Sequence, residues 1–297
     1  MSGLVVGYGS PDHMKIEEMF KKISYRGPFL SGILTNKSAI MAQNYLRADC
    51  PTAIPEEARV PISSSANGGL RICYDGQIGN VDQLAETHGI TAGPFPEERI
   101  LLHLYQEYGS NMFQHLDDAI FAFVISNGED IFAARDLLGI KTLFYGRKGE
   151  TLYLTTELKS LVAVTDDINE FPPGHYLDGS GTLTRFAELP KTPPEHLHSD
   201  LNQMVADIRD IIQRSLQGRV DFTVDTGGLL SGGMDSSVIN YLASQLYKEK
   251  FGNDARLKTF AVGVGESEDI ETARIMAKQI DSDHHELIVD LDHVLIV

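Results

Sequence analysis

The sequence predicts an α+β sandwich followed by an α/β domain built on a parallel sheet. Three observations carry this. Up to about residue 190, short β-like runs separated by turn clusters dominate. At 189–198 the stretch LPKTPPEHLH is rich in proline and polar groups and reads as a linker. Beyond it, strand-like and helix-like segments alternate, which is the signature of a parallel sheet with covering helices. A length of 297 residues agrees with two domains, 1–188 and 199–297 around that linker.

The elements of the first part follow in order. GLVVGYG (3–9) opens as a strand and 12–24 has helical spacing. LRICYDGQIG (70–79) reads as a strand, and PEERILLHLYQEY (96–108) as a helix with Pro96 at its start. AIFAFVIS (119–126), DIFAARD (130–136), KTLFYGR (141–147) and TLYLTTE (151–157) read as strands joined by turns such as Ser126-Asn127-Gly128. In the second part, helix 199–216 takes Ser199 as its expected N-cap. Strand 227–231, helix 235–250, strand 258–263, helix 268–280 and strand 285–289 then give βαβαβ. The final DLDHVLIV looks like the opening of another helix. Three strands are few for a parallel sheet covered on both faces, so either the domain is small or the natural protein continues beyond Val297.

Bulk composition narrows the function classes. A hydrophobic content of 42% is enough for sizeable cores. The formal charge of -17 disfavours nonspecific binding to nucleic acid or anionic membrane, but not a small phosphate-bearing substrate. Cys50 and Cys73 have no metal-ligand spacing and read as free thiols in a reducing compartment. No basic-then-apolar leader and no bilayer-length apolar run is present, so a soluble, cytoplasmic protein is expected.

The chemistry concentrates in LLSGGMDSSVINYLA (229–243), where an apolar strand stops at Ser231-Gly232-Gly233 and a helix begins. Glycines let the backbone approach a ligand closely, and the first N–H groups of a helix have no internal partner and point outward. The helix dipole adds partial positive charge there. Ser231, Ser236 and Ser237 supply hydroxyls. Asp235 would repel a bare phosphate, so a magnesium ion between them is expected. The Walker pattern is absent, since no Gly-Lys-Ser/Thr follows. Ser-Gly-Gly alone also suits an ordinary βα turn with Asp235 or Ser236 as N-cap.

The full SGGMDSS resembles the PP-loop of ATP pyrophosphatases, which cleave ATP between the α and β phosphates while a substrate is adenylated. The whole chain resembles the glutamine-dependent asparagine synthetases of class B. In the second half the likeness rests on LLSGGMDSS, TFAVGVGESEDIETA (259–273) and DHHEL (283–287). It implies ATP and Mg2+ as cofactors, with Leu230 and the backbone around Val262 and Gly263 beside the adenine. Asp269 matches the acid of the family's SPD element. His284-His285-Glu286 looks like a metal cluster, but strand residues after a turn are the better reading. In the first half, Tyr25-Arg26-Gly27-Pro28 resembles the family's HRGP and YDGQIGN (74–80) its NGEIYN. ARDLLGIKTLFYG (134–146) resembles RDxLGxKPLYY, TTELKSL (155–161) resembles SEMKAL, and EFPPGHYL (170–177) resembles EFPPGxY. The resemblance implies a four-layer N-terminal-nucleophile sandwich that hydrolyses glutamine, and a possible homodimer.

Several positions depart from that pattern. Ser2 stands where the family has its nucleophilic cysteine. Tyr45 stands where an arginine grips the glutamine carboxylate, with Arg47 nearby on the other face of a strand. Asn-Gly-Glu becomes Asp75-Gly76-Gln77, so an ionised Asp75 would oppose an oxyanion, and the amine-holding acids become Gln77 and Glu97. Loss of glutamine hydrolysis is therefore expected. The expected activity is adenylation of a carboxylate, most simply that of L-aspartate, followed by attack of ammonia or an amine. Two alternatives stand beside it. One is an intramolecular amide former like the β-lactam-forming synthetases and lasso-peptide cyclases. The other is a non-catalytic regulatory or binding homologue, because no second Ser-Gly-x-Gly-x-Asp turn precedes Val297. A tRNA-modifying enzyme is disfavoured by the acidic balance.

Overall fold

The structure, a computed structural model, describes residues 2–46, 60–91, 93–192, 200–265 and 267–289. The chain divides into two compact units, Met1–Pro193 and Pro194–Val297. The first unit runs β1 (Gly3–Tyr8), α1 (His13–Lys22), β2 (Leu30–Asn36), β3 (Ala39–Tyr45), β4 (Ser63–Ser64), β5 (Arg71–Ile78), α2 (Val81–Thr87), α3 (Pro96–Tyr108), β6 (Ala119–Ser126), β7 (Ile131–Arg135), β8 (Phe144–Lys148), β9 (Thr151–Thr155), α4 (Leu158–Leu161), β10 (Asn169–Glu170), β11 (His175–Leu177) and β12 (Leu183–Arg185). The second runs α5 (Leu201–Arg219), β13 (Gly227–Leu229), α6 (Met234–Phe251), β14 (Lys258–Val264), α7 (Glu268–Ile280) and β15 (Asp283–Val289).

Two six-stranded antiparallel sheets build the first unit, in the orders β10-β8-β9-β1-β3-β2 and β12-β11-β7-β6-β5-β4. Side-chain alternation assigns the layers. Leu4 and Val6 of β1 join Met41, Leu152, Cys73, Val124 and Ala133 in one core, so the sheets pack face to face. Val5 points the other way, into a second core with Ile16 and Met19 of α1 and Leu161 of α4. On the far side, Tyr74, Phe121 and Phe123 pack against Leu84 of α2 and Ile100, Leu101 and Leu104 of α3. The unit is thus the α+β sandwich that the sequence pattern predicts, in the four-layer helix–sheet–sheet–helix form that the family resemblance implies. Burial on both faces explains why the apolar runs are continuous rather than alternating, as in AIFAFVIS.

Local chemistry sets the helix ends. Asp12 caps α1 by accepting the Met14 N–H, and Pro96 sits at the first position of α3. Ser199, the expected cap of α5, lies outside the described residues, and the N-cap is Asp200, whose side chain accepts the Asn202 N–H. Cys50, Arg47, much of the 189–198 stretch and DLDHVLIV also lie outside the described residues.

The second unit holds a parallel sheet of order β13-β14-β15. Leu230, Ala261, Ile270, Ala273 and Ala277 form its core, which joins α7 to one face of the sheet. On β14, Thr259 and Ala261 are buried whereas Phe260, Val262 and Val264 are exposed, as are Leu229 and Leu287 on the neighbouring strands. Among the described residues, one apolar face of the sheet is therefore left open, where a parallel sheet with helices on both faces was expected.

Candidate functional site

In the first unit, Ser2, Tyr45, Asp75, Gly76, Gln77 and Glu97 all line one cavity of about 280 Å³, together with Leu46, Tyr74, Ile120 and Lys141. Its geometry begins at the buried chain start. Asn44 Oδ1 accepts the Gly3 N–H at 2.7 Å, Thr156 Oγ1 accepts the Leu4 N–H at 3.2 Å, and Asp75 Oδ1 accepts the Ser2 N–H at 2.9 Å. Three side chains from separate elements thus fix where Ser2 lies. Gln43 ties β3 to β5 across the two sheets by exchanging both hydrogen bonds with the Tyr74 backbone, at 2.9 and 2.8 Å.

Asp75 is only 2% exposed, so its carboxylate needs partners. It has two cations. Arg26 Nη2 donates to Oδ2 at 3.0 Å, and Lys141 Nζ donates to Oδ1 at 3.2 Å. Arg26 also donates to the Ser2 carbonyl at 2.9 Å and to Glu157. Asp75, expected to oppose an oxyanion, is thus held between two cations, Arg26 and Lys141. The ARDLLGIK segment delivers Lys141. Buried Asp136 accepts the N–H groups of Leu138, Ile140 and Lys141 at 3.1, 3.0 and 3.0 Å, and Arg135 Nε holds the Lys141 carbonyl at 2.7 Å. Sequence reasoning quoted Arg26 and Lys141 within motifs but gave them no role. The missed signal was Asp75 itself, a carboxylate inside an apolar strand that requires cations from elsewhere.

The other walls are aromatic or tightly packed. Gly76 has no room for a side chain, since a Cβ would lie 2.5 Å from both the Ile120 carbonyl and the Tyr74 ring. Tyr45 meets Phe95 edge to face at 5.1 Å. Glu97 Oε1 accepts the Ile78 N–H at 2.8 Å. Burial, followed by the nearby carboxylates of Glu97, Glu98 and Asp75, holds the Tyr74 phenol well above its usual range. Its hydroxyl is buried and has no hydrogen-bond partner among the described residues.

In the second unit the Ser231–Ser237 turn joins β13 to α6. Gly232 has φ +81°, and a Cβ there would lie 2.8 Å from Ala273 N and the Asp269 carbonyl of α7, so glycine is required twice over. The N-cap is Gly233 with no side-chain cap, so neither Asp235 nor Ser236 caps the helix. The first N–H groups of α6 are left for an external acceptor, and Asp235 is exposed in that first turn. Ser236 Oγ lies 3.0 Å from Ser231 Oγ and donates to the Gly233 carbonyl at 3.1 Å, which shapes the turn. Asn240, which the sequence reading passed over, donates to the carbonyls of Leu229 at 2.9 Å and Ser236 at 2.8 Å, clasping the strand end to the helix.

Other expected positions lie around this turn. The Leu230 side chain is in the core beneath it, so only its backbone faces outward, and its N–H donates to the Phe260 carbonyl at 2.8 Å. Val262 is exposed on the opposite face, and Gly263 packs against Ile270. His284 Nδ1 lies 2.9 Å from Thr259 Oγ1, and its Nε2 lies 3.4 Å from Glu286, which Arg274 grips through two nitrogens. That chain of contacts ties β14, β15 and α7 together.

Comparison with known proteins agrees with both halves. Residues 1–206 match the glutamine amidotransferase domain and residues 207–296 match asparagine synthase. Asparagine synthetase [glutamine-hydrolyzing] 1 of Saccharomyces cerevisiae is 30% identical over 92% of this chain and 52% of its own length. Asparagine synthetase [glutamine-hydrolyzing] of Zea mays is 30% identical over 92% of this chain and 46% of its own. The chain thus spans about half the length of the curated relatives it matches. Among solved structures, the glutamine phosphoribosylpyrophosphate amidotransferase from B. subtilis has a TM-score of 0.53 at 15% identity, over 96% of this chain and 65% of that one, a likeness of fold. The chain belongs to the asparagine synthetase B-type family, as a glutamine amidotransferase domain followed by an asparagine synthase segment.

Proposed function

We propose that this chain forms part of an ATP-dependent, AMP-forming amide ligase whose glutamine-hydrolysing activity has been lost. The observation that carries the ligase reading is the Ser231–Ser237 turn: its helix starts at an uncapped glycine, with two serine hydroxyls and an exposed carboxylate beside the open N–H groups. The turn cradles the β and γ phosphates of ATP. The substrate carboxylate, most simply that of L-aspartate, attacks the α phosphorus and pyrophosphate leaves into the turn. Ammonia or an amine then attacks the acyl adenylate and AMP departs. Magnesium fits this donor set, since Asp235 and the serine hydroxyls are hard oxygen ligands. When bound, it would offset the charge of the pyrophosphate, and Asp235 would hold it. Leu230, Val262 and Gly263 contribute backbone around the adenine.

Loss of hydrolysis rests on the first cavity. Ser2 replaces a thiol, Asp75 is engaged by Arg26 and Lys141, and Tyr45 offers no guanidinium to a substrate carboxylate. The nitrogen therefore comes from free ammonia or an amine. A cytoplasmic location is part of this proposal, supported by the acidic balance and the free, buried Cys73; separately, no helix among the described residues is long and apolar enough to cross a membrane. By family likeness it acts on small molecules, with homodimerisation through the first domain as the assembly to test. The full-length protein with ATP, magnesium and aspartate should release AMP and pyrophosphate with ammonium but not with glutamine. Equal turnover with glutamine would overturn the loss of hydrolysis, and absence of AMP with every nitrogen donor would overturn the ligase reading.

A further inference from the structure

We infer that a second cavity of the first unit, of about 550 Å³, is a binding site for a small phosphate monoester with an apolar body. It lies between the edge strand β4, the segment that follows α2, and α3. Arg99, Leu102, His103 and Gln106 reach it from one face of α3, at helical spacing. Ser63 of β4 is in register with Ile72, whose side chain packs in the α3 layer, so its hydroxyl points to the same side. No residue of this wall also lines the 280 Å³ cavity, and the volume is in the range that small-molecule sites occupy.

Charge selects the ligand. The chain carries 42 Asp and Glu against 25 Lys and Arg, yet no Asp or Glu is among the described residues that line this cavity. Its fixed charge is Arg99, and His88 and His103 add two imidazoles with ring centroids 5.6 Å apart. Arg99 is half-buried and makes no ion pair or hydrogen bond among the described residues. Its guanidinium packs over Gly93, where a Cβ would collide with Nη1. A guanidinium partly withdrawn from water without a counter-charge favours an anion from outside, and its planar fork suits two phosphate oxygens at once. The imidazoles and the Ser63 hydroxyl, which has no partner among the described residues, can donate to the remaining oxygens. His88 is held below its ordinary value by burial and then by His103 and His115, with Glu107 opposing, and a bound dianion offsets that repulsion between imidazoles. Ile90, Phe95 and Leu102 form the apolar part of the wall, which gives the rest of the ligand a place to bury.

The imidazole NMR signals of His88 and His103, assigned with His88→Gln and His103→Gln, report on this site in the whole chain. Phenyl phosphate at neutral pH should shift both. Benzyl alcohol has a similar apolar body and no charge, and benzoate has a single charge; each should bind about tenfold or more weakly. Arg99→Met keeps an apolar stem where the side chain had no partner, so it should keep the fold, and it should weaken phenyl phosphate about tenfold or more. Histidine signals that stay unmoved up to about 10 mM phenyl phosphate overturn the proposal. So does benzoate or benzyl alcohol binding as tightly as phenyl phosphate, or unchanged affinity in a folded Arg99→Met. The comparison of probes on the parent chain decides the point whether or not that variant folds.

Discussion

Replacing Asp75 with asparagine tests whether the buried ion cluster holds the first unit together. Asp75 accepts from Ser2 N–H, Arg26 and Lys141, and the substitution leaves two cations without their shared counter-charge. Removing one member of a buried ion pair costs about 3–5 kcal/mol. Arg26 keeps Glu157 and the Ser2 carbonyl, and the Lys141 side chain is 16% exposed, so the low end applies, about 3 kcal/mol. For a unit of this size that lowers the thermal midpoint by about 6–12 °C. Differential scanning calorimetry on the parent and on Asp75→Asn reads it directly. Lys141→Met alone should also destabilise, and the double variant should lose about 1–2 kcal/mol less than the sum of the two. A midpoint within about 1 °C of the parent, or strict additivity, would refute the reasoning.

Other perturbations follow from the same structure. Gly232→Ala forces a side chain into a φ of +81° against the backbone of α7, and should cost about 1–3 kcal/mol and abolish pyrophosphate binding measured by calorimetry. Asn240→Leu removes the two bonds that clasp β13 to α6, and should cost about 1–2 kcal/mol in denaturant titration while weakening pyrophosphate. His88 is held below the ordinary histidine value of 6.5 by burial, then by His103 and His115, with Glu107 opposing. The unfolded chain therefore takes up its proton first, so stability falls as pH drops through 6.5, and His88→Gln should flatten that limb of a stability-versus-pH curve. Glu286 is held below the usual carboxylate range chiefly by its hydrogen bond from Arg274. Its contribution is present at neutral pH and lost as pH falls through the depressed value, so Arg274→Met should reduce the acid sensitivity of the second unit.

Much of the fold was legible because central strands of the sandwich such as β1, β6, β7 and β9 are buried on both faces and so read as near-continuous apolar runs. AIFAFVIS and the helix at 268–280 fall where the pattern places them. Strands β2 and β3 escaped notice. LSGILTN carries serine, glycine and asparagine, and AIMAQNY ends in polar residues because Gln43 and Asn44 reach across to backbone groups far away in sequence. Such partners cannot be inferred from local pattern. The same holds for the site. Ser2, Tyr45, Asp75, Gln77 and Glu97 could be nominated one by one, whereas the ion pairs of Asp75 with Arg26 and Lys141, at separations of 49 and 66 residues, exist only in three dimensions. In the second unit the glycines of the turn were readable, but the role of Gly232 depends on α7 passing within van der Waals distance, and Asn240 looked like any polar helix residue.

The central claim is that the Ser231–Ser237 turn holds the pyrophosphate part of ATP. Calorimetric titration of the chain with magnesium pyrophosphate tests it most directly, with Gly232→Ala as the control. The account predicts one site per chain, binding that depends on magnesium, and loss of that site in Gly232→Ala. No binding to the parent, or equal binding to a folded Gly232→Ala variant, would contradict it.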